Sequence, residues 1–138
     1  MAAKHALWVG VALLTSGCLG QADAKKVDDA TARFYQQVAA RQYQVIYDQA
    51  APELRDNISP DIFVGFMQRI DRRLGACQPP VKRMDFHTNA TSQGFFQEQG
   101  YNQTCANGAL QESVTMVLRG GEAKLAGYHA SSPLLLTD

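Results

Sequence analysis

The hydrophobic period of this sequence changes at a pair of prolines, Pro79 and Pro80, and no other feature constrains the fold as strongly. Before the prolines, apolar residues recur at the spacing of about 3.6 residues that is typical of helices. After them, apolar and polar residues alternate, as they do in half-buried strands. The sequence therefore predicts an α+β domain with its helices first and its strands afterwards.

Two to three N-terminal helices are predicted. The first begins at Val27, and the second runs from Tyr43 to just before Pro52. The third, residues 59–75, has Ser59 at its N-cap and Gly75 as the left-handed residue after its end. The apolar stripe of the third helix, which we expect to be buried, consists of Phe63, Phe66, Met67, Ile70 and Leu74.

Four sequential antiparallel strands are predicted after the prolines, at roughly residues 81–88, 93–106, 109–119 and 122–132. Asn107-Gly108 and Gly120-Gly121 are typical of two-residue hairpin turns with φ positive at both positions. Counting outward from the second turn pairs Met116 with Leu125 and Val114 with Gly127. We expect this face of the sheet to be covered by the helices and the opposite face, which includes Tyr128, to be solvated.

The same counting places Glu112 opposite His129, on the apolar face with Tyr101. A carboxylate beside an imidazole in a closed pocket can act as acid and base, with Tyr101 as a hydrogen-bond donor to an oxyanion. The alternative is an ordinary cross-strand pair at the open rim, and a bulge at Gly100 would move the second strand's residues to the other face. These residues are pocket candidates, and no catalytic residue is assigned.

Cys77 and Cys105 are predicted to form a disulfide. If the first hairpin turns about Thr91, residues whose numbers sum to 182 face each other, and the two cysteines satisfy that sum. Antiparallel neighbours have Cα atoms ~4.5 to 5.5 Å apart, a separation that a disulfide accepts. The alternatives are two buried thiols, or a metal or redox pair. No Cys or His spacing in the sequence matches a closed metal site, and no cofactor motif is found.

The N-terminus has the parts of a secretory signal, with Lys4 and His5 ahead of an apolar core of nine residues, 6–14. Residues 14–18, Leu-Thr-Ser-Gly-Cys, resemble the lipobox of bacterial lipoproteins. That resemblance implies a signal peptide of residues 1–17 and lipidation of Cys18, which anchors the mature chain to a membrane. An ordinary signal peptide that leaves Cys18 as a free thiol is the alternative.

The residue after the cysteine is Leu19 and not the aspartate of an inner-membrane retention signal, so we expect the protein at the periplasmic face of the outer membrane. Residues 18–26 are predicted to be a tether, and residues 27–138 a single domain. Without Lys4, twelve basic residues stand against thirteen acidic ones. Such a balance argues against nucleic-acid binding, which needs a basic surface.

The order of helices and strands resembles that of the nuclear transport factor two-like superfamily, in particular small bacterial lipoproteins with this fold. The likeness rests on residues 34–43, 58–63, 72–75 and 125–128, of which the third reads Arg-Arg-Leu-Gly and the last Leu-Ala-Gly-Tyr. It implies a curved sheet that forms a cone with the helices. The same cone is used by enzymes, binding proteins and assembly domains, so the likeness implies little about function.

We therefore expect a noncatalytic interaction or assembly domain with an envelope protein partner and no cofactor. The apolar residues 133–136 at the C-terminus favour this role if they are exposed and are not the last core strand. The alternative is a small-molecule binding protein or enzyme with its pocket inside the cone. A closed apolar cavity of about 300 Å³ or more that contains Glu112 or His129 would favour this alternative, whereas a cone filled by Phe, Met and Leu side chains would favour the first role.

Overall fold

The computed structural model describes residues 20–137, in which four helices precede one four-stranded antiparallel sheet. Cys18 and residues 1–17, which are predicted to be a signal peptide, lie outside the described residues. The helices are α1 (Gln21–Ala39), α2 (Tyr43–Gln49), α3 (Pro52–Arg55) and α4 (Pro60–Leu74), and the strands are β1 (Val81–Thr91), β2 (Gly94–Thr104), β3 (Ala109–Arg119) and β4 (Glu122–Ser131). A single 3-10 turn, Pro133–Leu135, follows the last strand.

Helix α1 begins at Gln21, so most of the segment predicted to be a tether, residues 18–26, is helical. The apolar period begins only at Val27, and the added turns hold exposed, mostly polar residues. They are supported by ion pairs at helical spacing, Lys26 with Asp23 at 3.5 Å and Lys25 with Asp29 at 2.7 Å. The added turns were missed because they are stabilised by charges and not by an apolar stripe.

Helix α4 has the predicted ends and the predicted face. The Ser59 side chain accepts a hydrogen bond from the Ile62 N–H, 3.4 Å away, and Gly75 ends the helix with φ 71°. Four residues of the predicted stripe are buried, whereas Phe66 is half-buried. The single-turn helix α3 was not predicted, because Pro52 was interpreted only as the end of the preceding helix.

The strands are hydrogen-bonded in the order β1-β2-β3-β4, as predicted for a meander. Val114, Met116, Leu118 and Leu125 are buried against the helices and form the predicted apolar face. Both glycines of the β3–β4 turn have positive φ, 59° for Gly120 and 77° for Gly121. Met116 pairs with Leu125, as predicted.

The β3–β4 register departs from the prediction beyond that pair. Thr115 pairs with Gly127, which leaves Ala126 as an extra residue in β4. Val114 consequently pairs with Tyr128, not with Gly127, and Glu112 pairs with Ala130, not with His129. A single bulged residue exchanges the faces of all later β4 side chains. His129 therefore pairs with Ser113 on the solvated face, and Tyr128 turns to the helix-covered face.

The β2–β3 turn also differs from the prediction. Cys105 and Gly108 exchange backbone hydrogen bonds, so Ala106 and Asn107 are the central residues of the turn. Neither Asn107 nor Gly108 has the predicted positive φ. The Asn107 amide side chain donates to the Arg73 carbonyl at 3.1 Å, and its backbone N–H donates to the Leu74 carbonyl at 3.0 Å. The turn thereby satisfies carbonyls at the C-terminus of α4.

Cys77 and Cys105 face each other as an antiparallel bridge, with their sulfurs at disulfide-bonding distance and their Cα atoms 3.8 Å apart. The predicted pairing is present, although the predicted turn is wrong. Thr91 pairs with Gly94, so the hairpin turns at residues 92–93. A bulge in β1 lies between Lys82 and Phe86. It shifts the pairing of β1 with β2, so that close to the cysteines the pairs of facing residues are almost the predicted ones.

Residues 133–136, whose role the sequence left open, are not a strand. Leu134 and Leu135 are half-buried and pack against the core, whereas Leu136 is 87% exposed. Arg69 of α4 holds the segment by donating to the carbonyls of Leu135 and Thr137, at 2.9 and 3.2 Å.

Between residues 20 and 137, no helix is both long enough and apolar enough to span a membrane.

Candidate ligand-binding site

A cavity of about 520 Å³ lies between the helices and the sheet. Helix α1 and helix α4 form two of its walls, residues 75–80 form a third, and β2, β3 and β4 contribute one or two side chains each. The side chains that line it include Tyr35, Tyr43, Met67, Ile70, Leu110, Glu112 and Tyr128. The cavity exceeds the size of about 300 Å³ at which small-molecule sites begin.

Glu112 is the central polar group of the cavity. It lies on β3 and is only 3% exposed, because it shares the buried face of the strand with Leu110 and Val114. Its carboxylate accepts two hydrogen bonds from tyrosine hydroxyls, from Tyr128 to Oε1 at 2.5 Å and from Tyr35 to Oε2 at 3.2 Å. Each oxygen of the carboxylate therefore has one tyrosine donor.

The two tyrosines come from different elements, α1 and β4, and are held by aromatic packing. Tyr35 lies on α1 beside Phe34, with ring centroids 5.0 Å apart. Phe34 also packs against Tyr128, with ring centroids 5.4 Å apart. Tyr128 reaches Glu112 only because the bulge at Ala126 turns it to the inner face. The bulge in β4 therefore brings the Tyr128 hydroxyl to the carboxylate.

Burial dominates the electrostatics of this cluster. It raises the pKa of Glu112 above its ordinary value, and the hydrogen bonds from Tyr128 and Tyr35 lower that pKa in part. The pKa values of Tyr35 and Tyr128 are raised, first by burial and then by the neighbouring Glu112 charge. Both phenols therefore remain protonated at physiological pH and keep their role as hydrogen-bond donors.

Of the candidate site residues from the sequence, the structure brings Glu112 and Tyr101 together and places His129 apart. Glu112 lines the cavity, whereas Tyr101 pairs with it across β2 and β3 and contributes a buried ring that packs on Tyr35, with centroids 5.3 Å apart. His129 is exposed and on the other face. The carboxylate–imidazole pair considered for acid and base chemistry is therefore not formed.

Sequence reasoning missed both tyrosines that bond Glu112. Tyr35 directly follows Phe34, which belongs to the apolar stripe of the first helix. This position beside a buried residue is a signal in the sequence that the Tyr35 ring lies near the core. Tyr128 was assigned to the solvated face, and only the position of the bulge corrects that assignment. The small residues Ala126 and Gly127 in the middle of β4 are compatible with a bulge but do not locate it.

One side of the cavity carries an ion pair between α4 and the short link that joins α1 to α2. Arg41, with φ 55°, donates from Nε to Asp71 Oδ2 at 2.9 Å. Arg41, Asp71 and Glu112 are the charged residues that line the cavity. Because Arg41 and Asp71 compensate each other, Glu112 is the carboxylate without a cationic partner there.

Residues 75–80 form a wall that the cysteine bridge fixes to the sheet. Cys77 lines the cavity, and its partner Cys105 is buried at the end of β2. The Gln103 side-chain amide also donates to the Gln78 carbonyl at 3.0 Å.

Among residues 20–137, no group of three or more His, Cys, Asp and Glu side chains is placed to hold a metal ion.

No protein-family model matches this sequence, and no curated protein matches it either. The cavity and its chemistry therefore carry the functional conclusion.

Proposed function

We propose that this domain binds a small molecule in the cavity at Glu112 without transforming it. The observation that carries the proposal is a cavity of about 520 Å³ with mainly apolar walls and one buried, hydrogen-bonded carboxylate. Such a combination of apolar lining with few oriented polar groups is typical of ligand sites. A binding role is favoured over catalysis because Glu112 has phenols, and no imidazole or second carboxylate, as its hydrogen-bond partners.

We propose further that the domain has the nuclear transport factor two-like fold. The support is the order of elements, with helices α1 to α4 followed by a four-stranded meander, and the position of the cavity between them. The fold by itself does not distinguish among functions, so the ligand proposal depends on the cavity and not on this likeness.

Blocking the cavity is expected to abolish ligand binding. The probes are benzyl alcohol, benzylammonium and benzoate, titrated calorimetrically into the full-length protein in non-ionic detergent. We expect at least one probe to bind, and Ala39→Trp to weaken it about tenfold or more, because Ala39 lines the cavity and is exposed enough for a larger side chain. Ala24→Trp, an exposed position elsewhere on α1, is the control. The proposal fails if no probe binds, or if both variants bind equally.

We also propose that the chain is a lipoprotein anchored through Cys18 at the periplasmic face of the outer membrane. The support is the lipobox-like sequence that ends at this cysteine. Acyl chains contribute roughly 0.8 kcal/mol for each buried methylene, so several chains give firm anchoring. We expect Cys18→Ser to leave the membrane fraction or to remain unprocessed. Fractionation and intact mass test this, and unchanged anchoring with an unchanged mature mass would refute it.

An extended segment of an envelope protein is proposed as the partner of strand β1. This edge strand is exposed at all but one of its residues, and Met84 is 100% and Phe86 50% exposed. Its unpaired backbone groups can accept an added strand. A photo-crosslinker at position 84 should capture one discrete envelope protein in cells, whereas one at the exposed Glu122 should not. No adduct at position 84, or equal adducts at both positions, would contradict the partner.

A further inference from the structure

The hydrogen-bonding capacity that remains at Glu112 defines what a ligand must supply. An ionised carboxylate has about four acceptor positions, and the hydroxyls of Tyr35 and Tyr128 occupy two of them. The open positions, and the remaining lone pairs of the two phenol oxygens, are acceptors. A ligand group that meets this cluster must therefore donate hydrogen bonds.

The charge of the cavity favours a cation over a neutral donor. Arg41 is directed at Asp71 and is not available to Glu112. An ionised carboxylate that is buried without a cationic partner is unfavourable, and a cation in the cavity would offset this. Burial, which no neighbouring cation within residues 20–137 offsets, raises the pKa of Glu112 above its ordinary value.

The walls around the carboxylate suit the apolar body of such a ligand. Tyr35, Tyr43 and Tyr128 contribute aromatic rings, and rings attract organic cations through their negative faces. Met67, Ile70 and Leu110 add aliphatic surface. A bare metal ion fits this site less well, because no group of three or more His, Cys, Asp and Glu side chains among residues 20–137 is placed to hold one.

We infer that the cavity takes a small organic cation, whose protonated amine meets Glu112 and whose apolar body packs among the tyrosine rings and aliphatic side chains. The inference rests on the proposed ligand-binding function and specifies the ligand class of the same site. It requires no covalent or redox step.

The three benzyl probes test this inference because they share a ring and differ in charge. In calorimetric titrations of the full-length protein at about pH 8, benzylammonium should bind about tenfold more tightly than benzyl alcohol, and benzoate least tightly. Glu112→Gln should remove the preference for the ammonium probe. Glu98→Gln, which removes the same charge from an exposed position, should retain it.

Tyr128→Phe provides a second variant that keeps the ring and removes one donor to the carboxylate. It should retain or strengthen the ammonium preference, whereas a ligand held by the Tyr128 hydroxyl would lose affinity. Equal or tighter binding of benzyl alcohol or benzoate to the unmodified protein would overturn the cation inference and leave the ligand-binding function standing. A preference that survives Glu112→Gln would also overturn it. No binding of any probe would overturn both.

Discussion

Replacing both Cys77 and Cys105 with serine is expected to lower the free energy of unfolding by about 3 to 4 kcal/mol. The bridge joins residues that are 28 positions apart, and the chain-entropy model assigns a stabilisation of this size to a loop of that length. Such a loss is large for a small domain, whose total stability is about 5 to 15 kcal/mol. Urea denaturation of the oxidised protein and the double variant measures the difference.

A reducing agent separates the contribution of the bridge from that of the serine side chains. It should destabilise the unmodified protein by a similar amount and leave the double variant unchanged, because only the former has a bond to break. Loosening of residues 75–80 should also weaken probe binding, since Cys77 and its neighbours form one wall of the cavity. Titration of two reactive thiols in the untreated mature protein would contradict the disulfide.

As pH rises, the free energy of unfolding of the Glu112→Gln variant is expected to increase relative to that of the unmodified protein. Burial raises the pKa of Glu112 above the ordinary value of 4.5. The protonated carboxyl therefore stabilises the folded protein. This stabilisation is fully present below the pKa that Glu112 has in the unfolded chain, and it is lost as pH rises through the pKa that Glu112 has in the folded protein. Each unit of difference between the two pKa values corresponds to about 1.4 kcal/mol.

Urea denaturation between about pH 4 and pH 8 measures this difference, and the other titrating groups cancel because the variant shares them. Glu98→Gln is the control, since its exposed carboxyl should give a nearly constant difference. A difference between Glu112→Gln and the unmodified protein that stays constant or falls with pH would show that Glu112 is not the buried acid described here.

Periodicity and turn chemistry predicted the elements that depend on local sequence. The Ser59 cap, the Gly75 stop and the apolar stripe located α4, and Gly120-Gly121 located the β3–β4 turn. The apolar face of β3 followed from alternation. These signals act within a few residues, so a single sequence contains them.

The candidate site depended on features that no local pattern specifies. The extra residue Ala126 decides whether Tyr128 or His129 meets Glu112. The bulge in β1 is held from the neighbouring strand, where the Gln99 amide donates to the carbonyls of Arg83 and Asp85 at 2.9 and 3.2 Å. The β1 bulge thus depends on hydrogen bonds from another strand, and periodicity contains no such information.

An electron-density map of the full-length protein crystallised with saturating benzylammonium, and separately with benzyl alcohol, tests the ligand site most directly. The cavity at Glu112 is predicted to hold a probe among the rings of Tyr35, Tyr43 and Tyr128, with the ammonium group within hydrogen-bond distance of the carboxylate. The binding function would be contradicted if neither probe occupied the cavity, or if the side chains of Met67, Ile70 and Leu110 filled it.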